Sequence, residues 1–456
     1  MKKMVTLIVI LFTCFCYLSF TGDENKSVAI PSNPQTIGDA EKGYQYLITG
    51  DYLKSGFPIT MFSMIIGKDT NNYLQRQGLN KNISHEFTAL KAPNGEMIVT
   101  ANCLRCHGQV FENKLYVGLG NSMADFSDSK EVATAASNAI ALLSMMGGKS
   151  FDAAKDFLNA TQTIGPYIKT EVRGVNAADR LTAILAAHRD PVTLQWSDKA
   201  LLSVPDEVIP TDVPAWWLLK KKNAMFYNGF GRGDFAKFLM GSSLLTMKDS
   251  AEASEVYSHF SDVLAYIYSL QPPKYPGSID EALAANGKAL FGKNCARCHG
   301  TYGDDGKYPN LLIPASIIGT DSALYNSNYS SPQFVDWFNK SWFTQGDKKA
   351  QLIPFKGYIA PPLDGIWITS PYLHNGSVPT LEGVLNSDSR PQYWSRDFDK
   401  PLYDFDAVGW KHAILEKEIK GAYNTTLKGY GNHGHFFGDA FSDKERKAVI
   451  EYLKTL

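Results

Sequence analysis

No methionine occurs after Met247, although the 456-residue chain holds eleven. Thioether sulfur is therefore excluded from any site built wholly in the last part of the molecule. Cysteine is nearly as restricted. Two of the six, Cys14 and Cys16, lie in an apolar N-terminal stretch, and the other four form two close pairs, so none remains for a structural disulfide. Charge of either sign is also lacking in excess: 45 basic and 46 acidic residues leave a net charge of −1. That balance removes the electrostatic footprint of a nucleic-acid binder. Aromatic residues spread along the whole chain argue against disorder. Few segments alternate strictly between apolar and polar residues, so strands are expected to be few.

The two cysteine pairs are Cys103-Leu104-Arg105-Cys106-His107 and Cys295-Ala296-Arg297-Cys298-His299, each followed by glycine. Two thiols one helical turn apart can both bond the vinyl carbons along one porphyrin edge. The histidine that follows then presents its imidazole to the iron. With this composition a chance match is expected roughly 0.002 times per chain. A zinc site needs four ligands per metal, which two isolated motifs do not supply. The sequence thus predicts two covalently bound c-type haems, attached at Cys103 and Cys106 and at Cys295 and Cys298. His107 and His299 are their expected proximal iron ligands.

Lys2 and Lys3 precede an apolar run over 4–20 and a polar stretch over 21–26. Residues 1–21 read as a secretory signal or lipoprotein signal, and 22–36 as a Pro/Ser/Asn linker. A cleaved signal, an uncleaved anchor and a lipid-anchored cysteine all stay open, although Leu11-Phe12-Thr13 places bulky residues where a lipidation site wants small ones. The expected location is the periplasm or the extracellular side of a bacterial membrane, where haem attachment is completed.

Apolar spacing of three and four predicts helices near 38–54, 130–147, 151–160, 176–188 and 249–270, the last stopped by Pro272-Pro273. Ser278-Ile279-Asp280-Glu281 and Ser442-Asp443-Lys444-Glu445 read as capping boxes, leading helices over 282–293 and to the C-terminus. Another helix follows Ser331-Pro332. Gly287 and Phe291 on one of these helices, with Tyr452 and Leu453 on the other, suit a close helix crossing; residues 280–456 look like a cytochrome c domain. The expected fold is mainly α: an N-terminal haem domain (37–194), a mostly helical or irregular middle section (195–272) and a C-terminal cytochrome c domain (273–456).

With no methionine available, the sixth ligand of the second iron is expected among His374, His412, His433 and His435. His435 is the first choice, because Gly431-Asn432-His433-Gly434-His435-Phe436-Phe437-Gly438 forms a flexible loop able to close over a haem. His374 is a second cofactor-binding candidate, through a haem propionate or between the haems, and His412 reads as a helix-face residue. Around the first motif, Met145-Met146 reads as helix core, and His85 and His188 as structural; Met123 is also in reach. That leaves the first iron with an open or exchangeable position.

Longer stretches resemble the di-haem c-type cytochromes related to bacterial cytochrome c peroxidases, and most closely the branch of the bacterial rubber oxygenases. They are Ala360-Pro361-Pro362-Leu363-Asp364-Gly365-Ile366-Trp367, then Ser370-Pro371-Tyr372-Leu373-His374-Asn375-Gly376-Ser377-Val378-Pro379-Thr380-Leu381, and Asp212-Val213-Pro214-Ala215-Trp216-Trp217-Leu218-Leu219-Lys220-Lys221-Lys222. The tail from Gly434 to Lys454 is similar as well. The resemblance implies a reactive first haem with an accessible distal face and a bis-histidine second haem, His299 with His435. It places His107, Trp216 and Trp217 at the catalytic centre, the tryptophans lining the distal pocket, lying on the inter-haem path or filling core. The implied partners are a small oxidant (peroxide or dioxygen) and a redox protein. The chain departs from the peroxidases in lacking their methionine ligand, and their calcium ion finds no carboxylate pattern here. Two functions follow: a peroxidase- or oxygenase-type oxidoreductase, or an electron carrier with two six-coordinate haems.

Overall fold

The computed structural model describes residues 26–204 and 206–456. The signal-like segment, with Cys14 and Cys16, lies outside the described residues. Helix takes 41% of the chain and strand 13%, so helix leads, but the strands matter because they carry the first CxxCH turn. Phe87–Lys91 pairs antiparallel with Met97–Ala101, which runs straight into Asn102 and Cys103. After His107 the chain enters a second hairpin, Gly108–Phe111 with Lys114–Val117. Its two-residue turn, Glu112-Asn113, has φ of 47° and 62°, the left-handed pair that matches strand twist.

The expected helices form with shifted ends: Ala40–Thr49, Ser129–Met146, Gly148–Ile164, Ala178–Ala187 and Ser250–Ser269. Asp249 starts the last by accepting from the amides of Ala251 and Glu252. Its buried face, with Val256, Phe260, Val263 and Leu264, faces the core, each such side chain stabilising the fold by about 1.5–3 kcal/mol. In the C-terminal part, Glu281–Asn294 crosses Asp443–Leu453 at Gly287. A Cβ there would stand 1.8 Å from the Ala448 carbonyl oxygen, so only glycine permits the approach. Phe291 and Tyr452 meet beside it at 5.3 Å between ring centroids. Ser442 and Glu445 form the expected capping box. At the other helix the cap is Asp280, which accepts from Leu283, and Ser278 takes no part.

Two observations bear on the organisation. In the described part of the segment 22–36, Val28–Ala29 pairs with Leu311–Pro314, and Ile30 is buried with Ala224, Leu312 and Ile359. The cores also ignore the boundary at 272. Trp337, Phe338, Phe343 and Leu352 complete the core around Leu104 and Trp216, while Phe111, Leu119, Trp217 and Leu218 complete the one around Phe291, Trp367 and Tyr452. Each half is finished by residues of the other.

Candidate functional site

Both motifs fold as a single helical turn. The His107 amide bonds the Cys103 carbonyl at 3.0 Å, and the His299 amide bonds the Cys295 carbonyl at 3.0 Å. None of the four cysteines is in a disulfide, and burial pushes the thiols of Cys106 and Cys295 up to about 11. Among the described residues no group of three or more His, Cys, Asp and Glu converges, so the zinc reading has no ligand set.

The second motif borders a cavity of about 230 Å³ whose walls are mostly apolar. His299 Nδ1 lies 2.8 Å from the Pro361 carbonyl oxygen. A carbonyl can only accept, so Nδ1 carries the proton and Nε2 keeps its lone pair. The ring of His435 stands opposite, 6.2 Å away between centroids with the planes at 63°. Two metal–nitrogen bonds of about 2.0–2.1 Å, plus the distance from ring centre to nitrogen on each side, add to roughly 6 Å. The gap therefore fits one iron. Burial, reinforced by His299 and Arg390, pushes His435 down to about 4, and burial lowers His299 against its Pro361 bond. Both rings are neutral at ordinary pH, as metal ligands must be.

The loop carrying His435 is held from several sides. His435 has φ of 51°, and its amide bonds the Ile318 carbonyl at 2.8 Å. Gly434 (φ 79°) passes so close to Gly319 that a Cβ would lie 2.3 Å from its carbonyl carbon. Asn375 donates to the carbonyls of Gly429 and Gly431 at 2.9 Å each, and Ser377 to Gly431 at 3.1 Å. The Asp321 carboxylate accepts from the amides of the same two glycines. The His-Asn-Gly-Ser run thus fastens the histidine loop. His374 itself is 6% exposed and stacks on Tyr358 at 4.2 Å. The Tyr358 hydroxyl gives its proton to the Asp321 carbonyl at 2.6 Å, so His374 Nε2, 3.0 Å away, donates to that hydroxyl. His374 is therefore a cavity wall with its Nε2 engaged. His433 is exposed. His412, expected on a helix, sits between the strands Gly409–Trp410 and Ala413–Leu415 with Nδ1 3.0 Å from the Trp410 carbonyl.

Asp212, Lys222, Tyr227 and Thr320 are among the polar residues that line the cavity. Burial pushes Lys222 down to about 8 and Asp212 up to about 7, the latter opposed by the Tyr227 hydroxyl donating at 2.8 Å. Thr320 Oγ1 is buried without a partner. A cation and a hydroxyl left unengaged beside an apolar slot fit the carboxylates of a haem, which Lys222 and Thr320 would hold.

The first motif is set differently. His107 is buried, which pushes it down to about 3, and its Nδ1 has no hydrogen-bond partner. Trp216 stacks on the imidazole at 4.5 Å with the planes at 20°. This contact is with the imidazole of the first motif itself. Trp217 is core in the C-terminal half, its Nε1 bonded to the Asp364 carbonyl at 2.8 Å. Between them the pair spans the two sites, because Ala215 and Leu218 line the cavity at His299. Cys103 is held by the Tyr52 hydroxyl, which accepts from its amide at 3.2 Å. The buried thiols and the unpartnered nitrogen of His107 are the donor set that a covalent haem uses.

No second histidine ring contacts His107 among the described residues. His85 packs beside Gly108, its Cδ2 3.5 Å from where a Cβ would be. His188 caps its helix, with Nδ1 2.8 Å from the Ser197 carbonyl and its ring stacked on Trp196 at 5.0 Å. Met123 is half-buried against the C-terminal core. Met145 is 87% exposed. The core assignment for it is wrong, because the buried stripe of Ser129–Met146 runs through Ala136, Ala139 and Leu143 instead.

Residues 284–348 match the cytochrome c family, and residues 357–395 match a family described as RoxA-like, cytochrome c-like. The C-terminal region is a cytochrome c domain. Such a domain implies covalently bound c-type haem. Over longer stretches the chain is similar to two uncharacterized proteins of Sinorhizobium fredii, y4iM (27% identical, 55% of this chain and 66% of that protein) and y4iJ (30% identical, 41% of each). It thus spans less than two thirds of the length of either. It is also similar to a cytochrome bc1 complex cytochrome c subunit of Corynebacterium diphtheriae, 28% identical over 32% of this chain and 46% of that one. Among the described residues, no helix is long and apolar enough to cross a membrane.

Lys222, Asp321, Tyr358 and Thr320 were not among the residues expected from sequence. Each acts through burial, which a single chain's pattern does not display.

Proposed function

We propose that this protein is an exported di-haem c-type oxidoreductase with two unequal centres. His299 and His435 would hold the second haem iron and His107 the first, where a small oxidant, peroxide or dioxygen, would react. The observation that carries the reading is the 6.2 Å gap between the His299 and His435 rings, set against a His107 ring whose stacking neighbour is Trp216. Bound haem would supply one-electron redox chemistry at each site.

The protein's own residues do the rest. Pro361 fixes the His299 tautomer through Nδ1, and the loop bonds from Asn375, Ser377 and Asp321 keep His435 in place. Apolar walls exclude water from the second centre. Trp216 stacks on the His107 ring, and the adjacent Trp217 packs in the core that also holds Leu218 of the cavity wall. A location in the periplasm or on the extracellular face rests on the signal-like N-terminus and on where haem is attached.

A pure electron carrier is the second reading, favoured by the similarity to a cytochrome bc1 complex cytochrome c subunit. The two separate on adding cyanide or peroxide to the purified protein. One centre should respond while the other stays low-spin. Two unresponsive low-spin centres would leave the carrier.

A further inference from the structure

Arg390 sits behind the His435 loop and uses every N–H of its guanidinium on a backbone carbonyl. Nε donates to Gly383 at 2.7 Å. Nη1 donates to Asn432 at 2.7 Å and Gly434 at 2.6 Å, and Nη2 to Val384 and His435 at 3.2 Å each. Five donors meet five acceptors, the full capacity of the side chain. Two of those carbonyls belong to the helix Leu381–Leu385, which walls the cavity, and three to the loop that carries His435. No carboxylate lies within ion-pair distance of Arg390 among the described residues, although Asp439 acts on it through space. Its role is therefore geometric before it is electrostatic.

We propose that Arg390 is the positioning residue of the second centre: it bolts the His435 loop to the Leu381–Leu385 helix and so sets how His435 meets the iron. The inference rests on the reading of His435 as a ligand. His435 needs such support because it sits in a left-handed backbone conformation after a glycine, and its Nδ1 has no partner to orient the ring. Lysine could keep the charge but offers three donors from a single point and cannot bridge two elements as the fork does.

The test uses the full-length haem-loaded protein and the variants Arg390→Lys, Arg390→Met and His435→Ala. It reads the EPR and visible spin state of the second centre, its midpoint potential, cyanide binding and thermal unfolding. Both Arg390 variants should convert a fraction of the second centre to high-spin and bind cyanide at least tenfold more tightly there than the parent. A shift in unfolding temperature with spectrum and cyanide affinity unchanged overturns the proposal, and so does full recovery of the parent spectrum in Arg390→Lys. If Arg390→Met does not fold, Arg390→Lys alone decides. His435→Ala separates the two levels: a second centre still low-spin in that variant removes the ligation reading and this inference with it. A high-spin centre there, beside unaltered Arg390 variants, removes only the inference.

Discussion

Cys103–His107 hangs between two β-hairpins, whereas Cys295–His299 closes the 14-residue helix Glu281–Asn294. The two turns share backbone hydrogen bonding and differ in everything around it. One imidazole is stacked under an indole with its Nδ1 unpartnered, and the other donates to a carbonyl and faces a second imidazole across a cavity. A CxxCH turn thus specifies attachment and one ligand. What faces each imidazole comes from distant segments, and on the proposed function those segments set an electron-passing centre apart from one that meets a small molecule.

The largest effect is expected at the helix crossing that supports the second turn alone. Gly287→Val puts carbon into the Ala448 carbonyl and should cost about 3 kcal/mol or prevent folding, measured by thermal or denaturant unfolding. A stable variant would show that the crossing does not brace the second turn. On the other side, Trp216→Ala should destabilise by about 3–5 kcal/mol. Haem attached at Cys295 and Cys298 should survive, while spectral changes are confined to the centre at His107. Equal disturbance of both centres would break the comparison.

Acidity should separate the two centres further. Asp212 borders the second cavity, and burial raises its carboxyl to about 7. Below that value it is neutral. Above it, a negative charge near the iron favours the oxidised state, so the second centre's potential should fall as pH rises through about 7. Asp212→Asn should flatten that dependence and leave the first centre unaffected. The same raised value means the parent loses stability as pH climbs from the ordinary 3.8 toward about 7. The variant should not. The smallest effect belongs to Met145→Ser, expected within about 0.5 kcal/mol because the side chain is exposed.

Much of the second site could be read in the sequence, and the reason is local. His435 stood out because methionine was missing and because glycines at 431, 434 and 438 mark a loop, which the positive φ of Gly434 bears out as a structural need. Gly287 with Phe291 was legible from helical spacing. The strands around the first motif were missed although Pro93-Asn94-Gly95 and Glu112-Asn113 mark their turns: the runs Phe87–Lys91, Met97–Ala101 and Gly108–Phe111 bury consecutive residues and do not alternate. Burial also hid Arg390, Lys222 and Asp321, because no spacing in the sequence records which charged side chains are enclosed. The exchange of core residues was not legible either, since residues 334–352 fill the other half's core and no local pattern records such an exchange.

The asymmetry is tested most directly by EPR of the oxidised full-length protein and of His435→Ala. The parent should show one low-spin bis-histidine signal and one signal that changes on adding cyanide, and the variant should lose the bis-histidine signal. A bis-histidine signal that persists unchanged in His435→Ala would contradict the account.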